Sequence, residues 1–229
     1  MKTIGILGGL SPESTIAYYG YITRRYHQLR GDFAYPEIVI YSVRFSEFIE
    51  AGYQIAGRVK GAIERLHRAG ADFVVAACNS VHVVFDEVSA DVPIPWISIM
   101  DAAAEQIRRA NIRRVGLLGT VFTMGGEFYQ KGLAKYGIET LTPDERSQKR
   151  INAIIYDELV KAQVREDSRR FVVTCIDELS QRGAEGVVLG CTELPFLIRQ
   201  EDTSVPVFDT TTIHAQKALD LALADDAAS

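Results

Sequence analysis

The chain has 229 residues, 47% hydrophobic and 24% charged, with a net charge of −5. This composition suits a globular enzyme that buries a core without disulfides or metals. The acidic balance excludes a general attraction to nucleic acid or an anionic membrane, and no apolar run approaches the roughly 20 residues needed to span a bilayer.

The first predicted element is a buried strand, Ile4–Leu7 in "MKTIGILGGL". It runs straight into Gly8-Gly9 and a helical pattern, so it reads as a strand and not as a secretory leader. Three cysteines are too few and too odd for a disulfide framework, and a reducing, cytoplasmic setting is expected. Tyr18, Tyr19 and Tyr21 come next, read as packing or dimer surface. A strand is predicted at Ile38–Val43, a helix over 56–69, and further strands at Phe73–Ala77 and Ile94–Ile99. His27 and His67 fall in charged helical stretches and are expected to be solvated. "AAAEQIRRAN", from Ala102, reads as a helix. Val115–Leu118 is the next strand. The charged stretch "REDSRR" marks the exposed start of a helix over 168–182, and Gly186–Leu189 is a last strand. "IHAQKALDLALADD" closes the chain as a helix, with residues 225–229 expected to fray. Short apolar runs bounded by Gly or Pro suggest strands buried on both faces, and their alternation with helices implies parallel sheets.

The chain repeats itself. "TIGILGG" matches "RVGLLGT", "AGADFVVAACNS" matches "RGAEGVVLGCTE", and "VPIPWIS" matches "SVPVFDT". The pairs Gly5–Gly116, Cys78–Cys191 and Pro95–Pro206 are spaced by nearly one interval. The expected fold is therefore α/β, with two pseudo-symmetric parallel-sheet domains and an active-site cleft between them. Residues 1–98 and a C-terminal helix at about 210–229 would form the first half, and residues 99–209 the second.

In such a fold ligands bind at the carboxyl ends of the strands. Cys78 follows "DFVVAA" and Cys191 follows "GVVLG", so both leave a strand at that end. Each precedes residues able to cap a helix, Asn79-Ser80 and Thr192-Glu193. A thiol at a helix N-terminus is acidified, and the free N–H groups there can hold a carboxylate. A lone cysteine after an apolar run is more often a small buried hydrophobe. Cys175, on a helix with Phe171, Ile176 and Leu179, is read that way. For Cys78 and Cys191 packing would require the same coincidence twice. No CxxC or HxxxH pattern accompanies them, so no metal site is expected. His82 could tune Cys78 or be a satisfied helix histidine. Two thiols at one site suggest two-base proton transfer: one takes a proton from carbon and the other returns one.

"GILGGLSPEST" lacks the G-x-G-x-x-G spacing of a dinucleotide loop. Gly8-Gly9 are expected to let the backbone approach a small ligand, with Ser11 and Thr15 near its carboxylate. Thr120 and Thr123 occupy the equivalent loop of the second half. For Thr15 a simple tight turn is the competing reading.

"GILGGLSPEST", "ACNSVH" and "GCTELP" together resemble the aspartate/glutamate racemase family, the cofactor-independent amino-acid racemases. The likeness runs over nearly the whole chain, including "LGTVFTM" and "INAIIYDEL". It implies that Cys78 and Cys191 are the catalytic pair, that Asn79 and Ser80 hold the α-carboxylate in the first half, and that Thr192 helps in the second; Gly9, Ser11, Thr120 and Thr123 join them as candidate substrate contacts from their loop positions alone. It implies substrate contact by Lys161. Arg44 falls where close relatives often have Asp, and the arginine of some archaeal aspartate racemases lies near Ile49. Arg44 either takes the distal carboxylate or points elsewhere. The implied activity interconverts L- and D-aspartate and/or glutamate, without pyridoxal phosphate or other cofactor, in a homodimer with no nucleic-acid or membrane partner. The alternative within the superfamily is a maleate isomerase-like enzyme of a small dicarboxylate, with Cys78 as nucleophile.

Overall fold

A computed structural model describes residues 1–51 and 54–224, with the side chain of Ile49 outside that description. The expected fraying of residues 225–229 likewise lies outside the described residues.

In chain order the elements are β1 (Ile4–Gly8), α1 (Pro12–Arg30), β2 (Ile38–Ser42), α2 (Phe45–Ala51), α3 (Ala56–Arg68), β3 (Phe73–Ala76), α4 (Phe85–Ser89), β4 (Trp96–Ile97) and α5 (Ile99–Arg109). They continue with β5 (Arg114–Leu118), α6 (Val121–Gly125), α7 (Glu127–Ala134), β6 (Glu139–Leu141), α8 (Glu145–Ala153), α9 (Glu166–Gln181), β7 (Gly186–Leu189), α10 (Leu194–Leu197), β8 (Val207–Asp209) and α11 (Thr210–Leu223). The strands form two four-stranded sheets, β2-β1-β3-β4 and β6-β5-β7-β8, and every pairing is parallel. The fold is α/β, with the same strand order twice.

Two compact units result. One comprises Met1–Ile99 together with the segment from Thr211; the other is Met100–Thr210. In the first unit one face of the sheet packs with α3 and the segment around Val81–Val88, through Leu7, Val59, Ile63, Leu66, Val74 and Trp96. The other face packs with α1 and α11, through Ile4, Ile6, Tyr18, Ile22, Ala215 and Leu219. In the second unit α8, α9 and α10 share a core with β5 and β7, through Leu118, Ile151, Val172, Ile176, Val187 and Leu197.

The central strands β1, β3 and β7 are buried throughout, and β5 at every position but Arg114. This is what helices on both faces demand. The run Ile38–Ser42 differs from its expected full burial. As β2 it sits on the sheet edge, and Ile40 is 41% exposed. The strand expected over Ile94–Ile99 shrinks to Trp96–Ile97. Pro93 and Pro95 have no N–H to give a ladder, and Ile99 already begins α5. The edge strands β6 and β8 are three residues each, of mixed character, too short to carry a period in the sequence.

Candidate active site

Both cysteines stand one residue beyond the last ladder bond of a central strand. Ala77 N–H donates to Leu7 O at 2.9 Å, and Cys78 comes next. Gly190 N–H donates to Leu118 O at 2.7 Å, and Cys191 comes next. The two units thus hold their thiols by the same device, at the carboxyl ends of β3 and β7. In β7 that device requires glycine. A Cβ on Gly190 would come within 2.9 Å of Leu117 Cδ1 and 3.1 Å of both Leu118 O and Thr123 Cγ2. Cys78 is partly exposed and Cys191 is buried at 9% exposure.

The segment after each thiol departs from the expected helix N-terminus. Cys78 leads into a five-residue 3₁₀ turn, Ser80–Val84, and Cys191 into the four-residue α10. Neither Asn79 nor Glu193 makes a side-chain cap bond. So few aligned peptides give little dipole, and each thiol's surroundings are set by the nearest side chain.

For Cys191 that side chain is Glu193. The Cys191 Sγ–H donates to Glu193 Oε2 at 3.0 Å, and Thr192 Oγ1–H donates to the same oxygen at 3.0 Å. Glu193 is only 4% exposed. Sequence reasoning saw it as a cap; its proximity to a thiol two residues back was the signal missed.

For Cys78 the neighbour is His82, and the bond runs to the cysteine's carbonyl. His82 is buried, with Nδ1 3.0 Å from Cys78 O. Its Nε2 accepts the Ile99 N–H at 3.1 Å. Because a backbone N–H only donates, Nδ1 carries the proton and donates to the Cys78 carbonyl. Burial, the largest influence, lowers the His82 pKa to about 4. His214, not singled out from the sequence, lies beside it at 5.9 Å between ring centroids. His214 Nε2 donates to Ile97 O at 3.1 Å, and Nδ1 accepts from Tyr18 Oη–H at 2.8 Å. Burial, followed by its neighbour His82, holds its pKa well below the ordinary value.

The remaining predicted contacts divide. Ser11 Oγ is buried with no hydrogen-bond partner among the described residues, which suits a ligand donor just past β1. Asn79 is buried and Ser80 half-buried beside Cys78, and Thr192 is buried beside Cys191. Gly9 serves the protein itself. Its φ is +80°, and an added Cβ would lie 2.4 Å from Val43 O. The close approach there is therefore to the strand-end backbone of β2. Thr15 closes the same turn, accepting from Gly9 N–H at 2.9 Å and donating to Ser11 O at 3.2 Å. That is the tight-turn reading. Thr120 caps α6 by accepting the Thr123 N–H at 3.2 Å, and the two hydroxyls lie 3.2 Å apart. Thr123 has no exposed surface and packs its methyl towards Gly119 and Gly190. This pair builds the turn beneath Cys191.

The Arg44 side chain is 83% exposed and sits 3.7 Å from Glu47. It lines a groove of about 610 Å³ at the β2 edge with Tyr41, Ser42, Arg58 and Arg65. Lys161 is exposed and ends a 3₁₀ turn, Leu159–Lys161, after a π-helical turn at Ile154–Glu158. That 3₁₀ turn packs against α10, which follows Cys191 directly. Cys175 is buried on α9, and burial pushes its thiol up to about 11, as befits a packing residue. Among the described residues no group of three or more His, Cys, Asp or Glu could hold a metal ion, and no helix is long and apolar enough to cross a membrane.

Two α/β units of the same strand order, each with a thiol just past a central strand, define a duplicated α/β fold. The sequence model of the Asp/Glu/Hydantoin racemase family matches residues 7–218, and the chain belongs to that family. It is 26% identical over 227 residues to the broad specificity amino-acid racemase RacX of Bacillus subtilis, covering 96% of this chain and 98% of RacX. A candidate Asp/Glu racemase from Yersinia pestis is 40% identical with a TM-score of 0.91, covering 97% of this chain and 100% of that one. An aspartate racemase homologue from Pyrococcus horikoshii is also 40% identical, with a TM-score of 0.86 over 97% of this chain and 99% of the other.

Proposed function

We propose that the protein interconverts L- and D-aspartate and/or glutamate by two-base chemistry between Cys78 and Cys191, without pyridoxal phosphate or metal. The observation that carries this reading is the duplicated strand-end placement of the two thiols. One thiolate takes the α-proton, the negative charge spreads into the α-carboxylate, and the other thiol returns a proton to the opposite face. One proton leaves carbon and one arrives, so each turnover exchanges the protonation states of the two sulfurs. The family relation and the likeness to RacX, a broad specificity amino-acid racemase, support an amino-acid substrate.

Glu193 supplies what Cys191 needs in both roles. As a base Cys191 must lose its S–H proton, and the carboxylate that already accepts it at 3.0 Å can take it. As an acid Cys191 gives its proton to carbon, and a Glu193 that holds a proton in its carboxylic acid form can return one to the sulfur. Ser11, Asn79, Ser80 and Thr192 are the proposed donors to the substrate's α-carboxylate. Arg44 and Lys161 are the proposed cations for its side-chain carboxylate. The protein would act in the cytoplasm as a homodimer. The first test is racemisation of each enantiomer of both amino acids by the purified protein. Inversion of neither would reject the reading.

A further inference from the structure

We propose that His82 is a positioning residue for Cys78: as a neutral imidazole it fastens the Cys78 peptide to Ile99 and so fixes where the thiol points. This rests on the reading of Cys78 as an acid–base group. The Cys78 peptide lies in a stretch with no helix to hold it, since only the 3₁₀ turn Ser80–Val84 comes after it. Its carbonyl accepts the His82 Nδ1–H at 3.0 Å. The other ring nitrogen accepts the Ile99 N–H at 3.1 Å, at the first residue of α5. One ring thus satisfies an N–H and a C=O of the main chain, which locks a single tautomer.

The ring has little freedom. His82 is 1% exposed. Trp96 lies 5.0 Å away between centroids, Phe85 and His214 5.9 Å. His214 is held in the opposite tautomer by Tyr18 and Ile97. Two neutral rings of fixed hydrogen-bond polarity therefore bracket the segment Trp96–Ile99, and one of them reaches the backbone of the catalytic cysteine. The influence on the thiol is exerted through the main chain, and a misplacement by about 1 Å can cost about 10²-fold in rate.

The two hydrogen bonds can be separated by substitution. Asparagine places an amide donor near the Nδ1 position and can keep the bond to Cys78 O. Glutamine places an acceptor near the Nε2 position and can keep only the bond from Ile99 N–H. The experiment compares His82→Asn, His82→Gln and the parent for kcat and KM on L- and D-aspartate and glutamate, with thermal unfolding of each. In a Cys175→Ala/Cys191→Ala background the rate of Cys78 alkylation by iodoacetamide is followed against pH. The expected result is that both variants lose comparable stability. His82→Asn should keep kcat within about threefold of the parent, and His82→Gln should lose at least tenfold in kcat with KM little changed. The apparent thiol pKa and alkylation rate of Cys78 should shift in His82→Gln only. Equal kcat losses in both variants that track stability, with an unshifted Cys78 profile, would overturn the proposal. If neither variant folds, ¹⁵N resonances of His82 in the parent protein decide. A change in the Nδ1–H signal on alkylation of Cys78 supports the coupling, and an unchanged signal overturns it. Alkylation needs no turnover, so loss of the racemase reading is distinguishable: the parent would then invert neither aspartate nor glutamate while the His82 effect on Cys78 reactivity persisted.

Discussion

The contact between Cys191 and Glu193 decides what the second thiol does at rest: its proton is already shared with a carboxylate. Glu193→Gln keeps an oxygen that can accept the S–H but removes a group that can take the proton. General acid–base help of this kind contributes roughly 10²–10⁴-fold. We expect kcat/KM to fall by about 10²-fold or more. The fall must be equal in both directions, because the enantiomers have equal energy. Initial-rate kinetics from L and from D substrate check this, and unchanged rates would make Glu193 a packing residue. Arg44 is a milder case. Its side chain is 83% exposed, with Glu47 3.7 Å away. An exposed ion contact is worth about 1 kcal/mol, so Arg44→Ala should raise KM for the acidic substrate roughly fivefold and leave kcat alone. An unaltered KM would place Arg44 outside the site. The strand-end placement of Cys78 and Cys191 and the packing of Cys175 were legible in the sequence because a repeat distinguishes a paired residue from a solitary one. Glu193 was not, because whether a side chain caps a helix or turns back to a thiol depends on the turn's dihedral angles.

At the scale of elements, the strand-end turns hold the account together. Gly9 has φ +80° and lies against Val43, so Gly9→Ala combines left-handed strain with a collision at 2.4 Å. A loss of about 2 kcal/mol or more is expected in urea unfolding, and an unaltered midpoint would contradict the geometry. The central strands and the long helices could be read from periodicity and apolar runs. The exposure of β2 could not, since an edge strand and a central strand can carry the same apolar run. The His82–His214–Tyr18 network was equally hidden, because it joins residues brought together only by the packing of α1, α11 and the 3₁₀ turn. Its titration has a definite sign. The folded pKa of His82, about 4, lies below the ordinary 6.5, so the neutral form is favoured by folding. The resulting stability, about 3 kcal/mol, is fully present above pH 6.5 and is lost progressively as the pH falls towards 4. His214, lowered in the same direction, adds to the loss. Urea midpoints at pH 7 and pH 5 should therefore converge in His82→Gln relative to the parent. An identical pH dependence in the two proteins would refute this assignment.

At the scale of the whole molecule, the repeat of strand order and thiol placement supports the proposal that two equivalent acid–base groups serve one reaction. The chemistry proposed for them needs only sulfur and a carboxylate-binding turn, so protein dialysed against a chelator should keep its full rate. Restoration by pyridoxal phosphate or a divalent metal would reject that part of the account. The central claim, that each thiol serves one face of the α-carbon, is tested most directly by α-hydrogen exchange in deuterated water with Cys78→Ala and Cys191→Ala. Each variant should lose racemisation almost completely, yet still exchange the α-hydrogen of one enantiomer through its remaining thiolate. The enantiomer exchanged should switch between the two variants. Substantial racemisation surviving in either single variant would contradict the two-base mechanism.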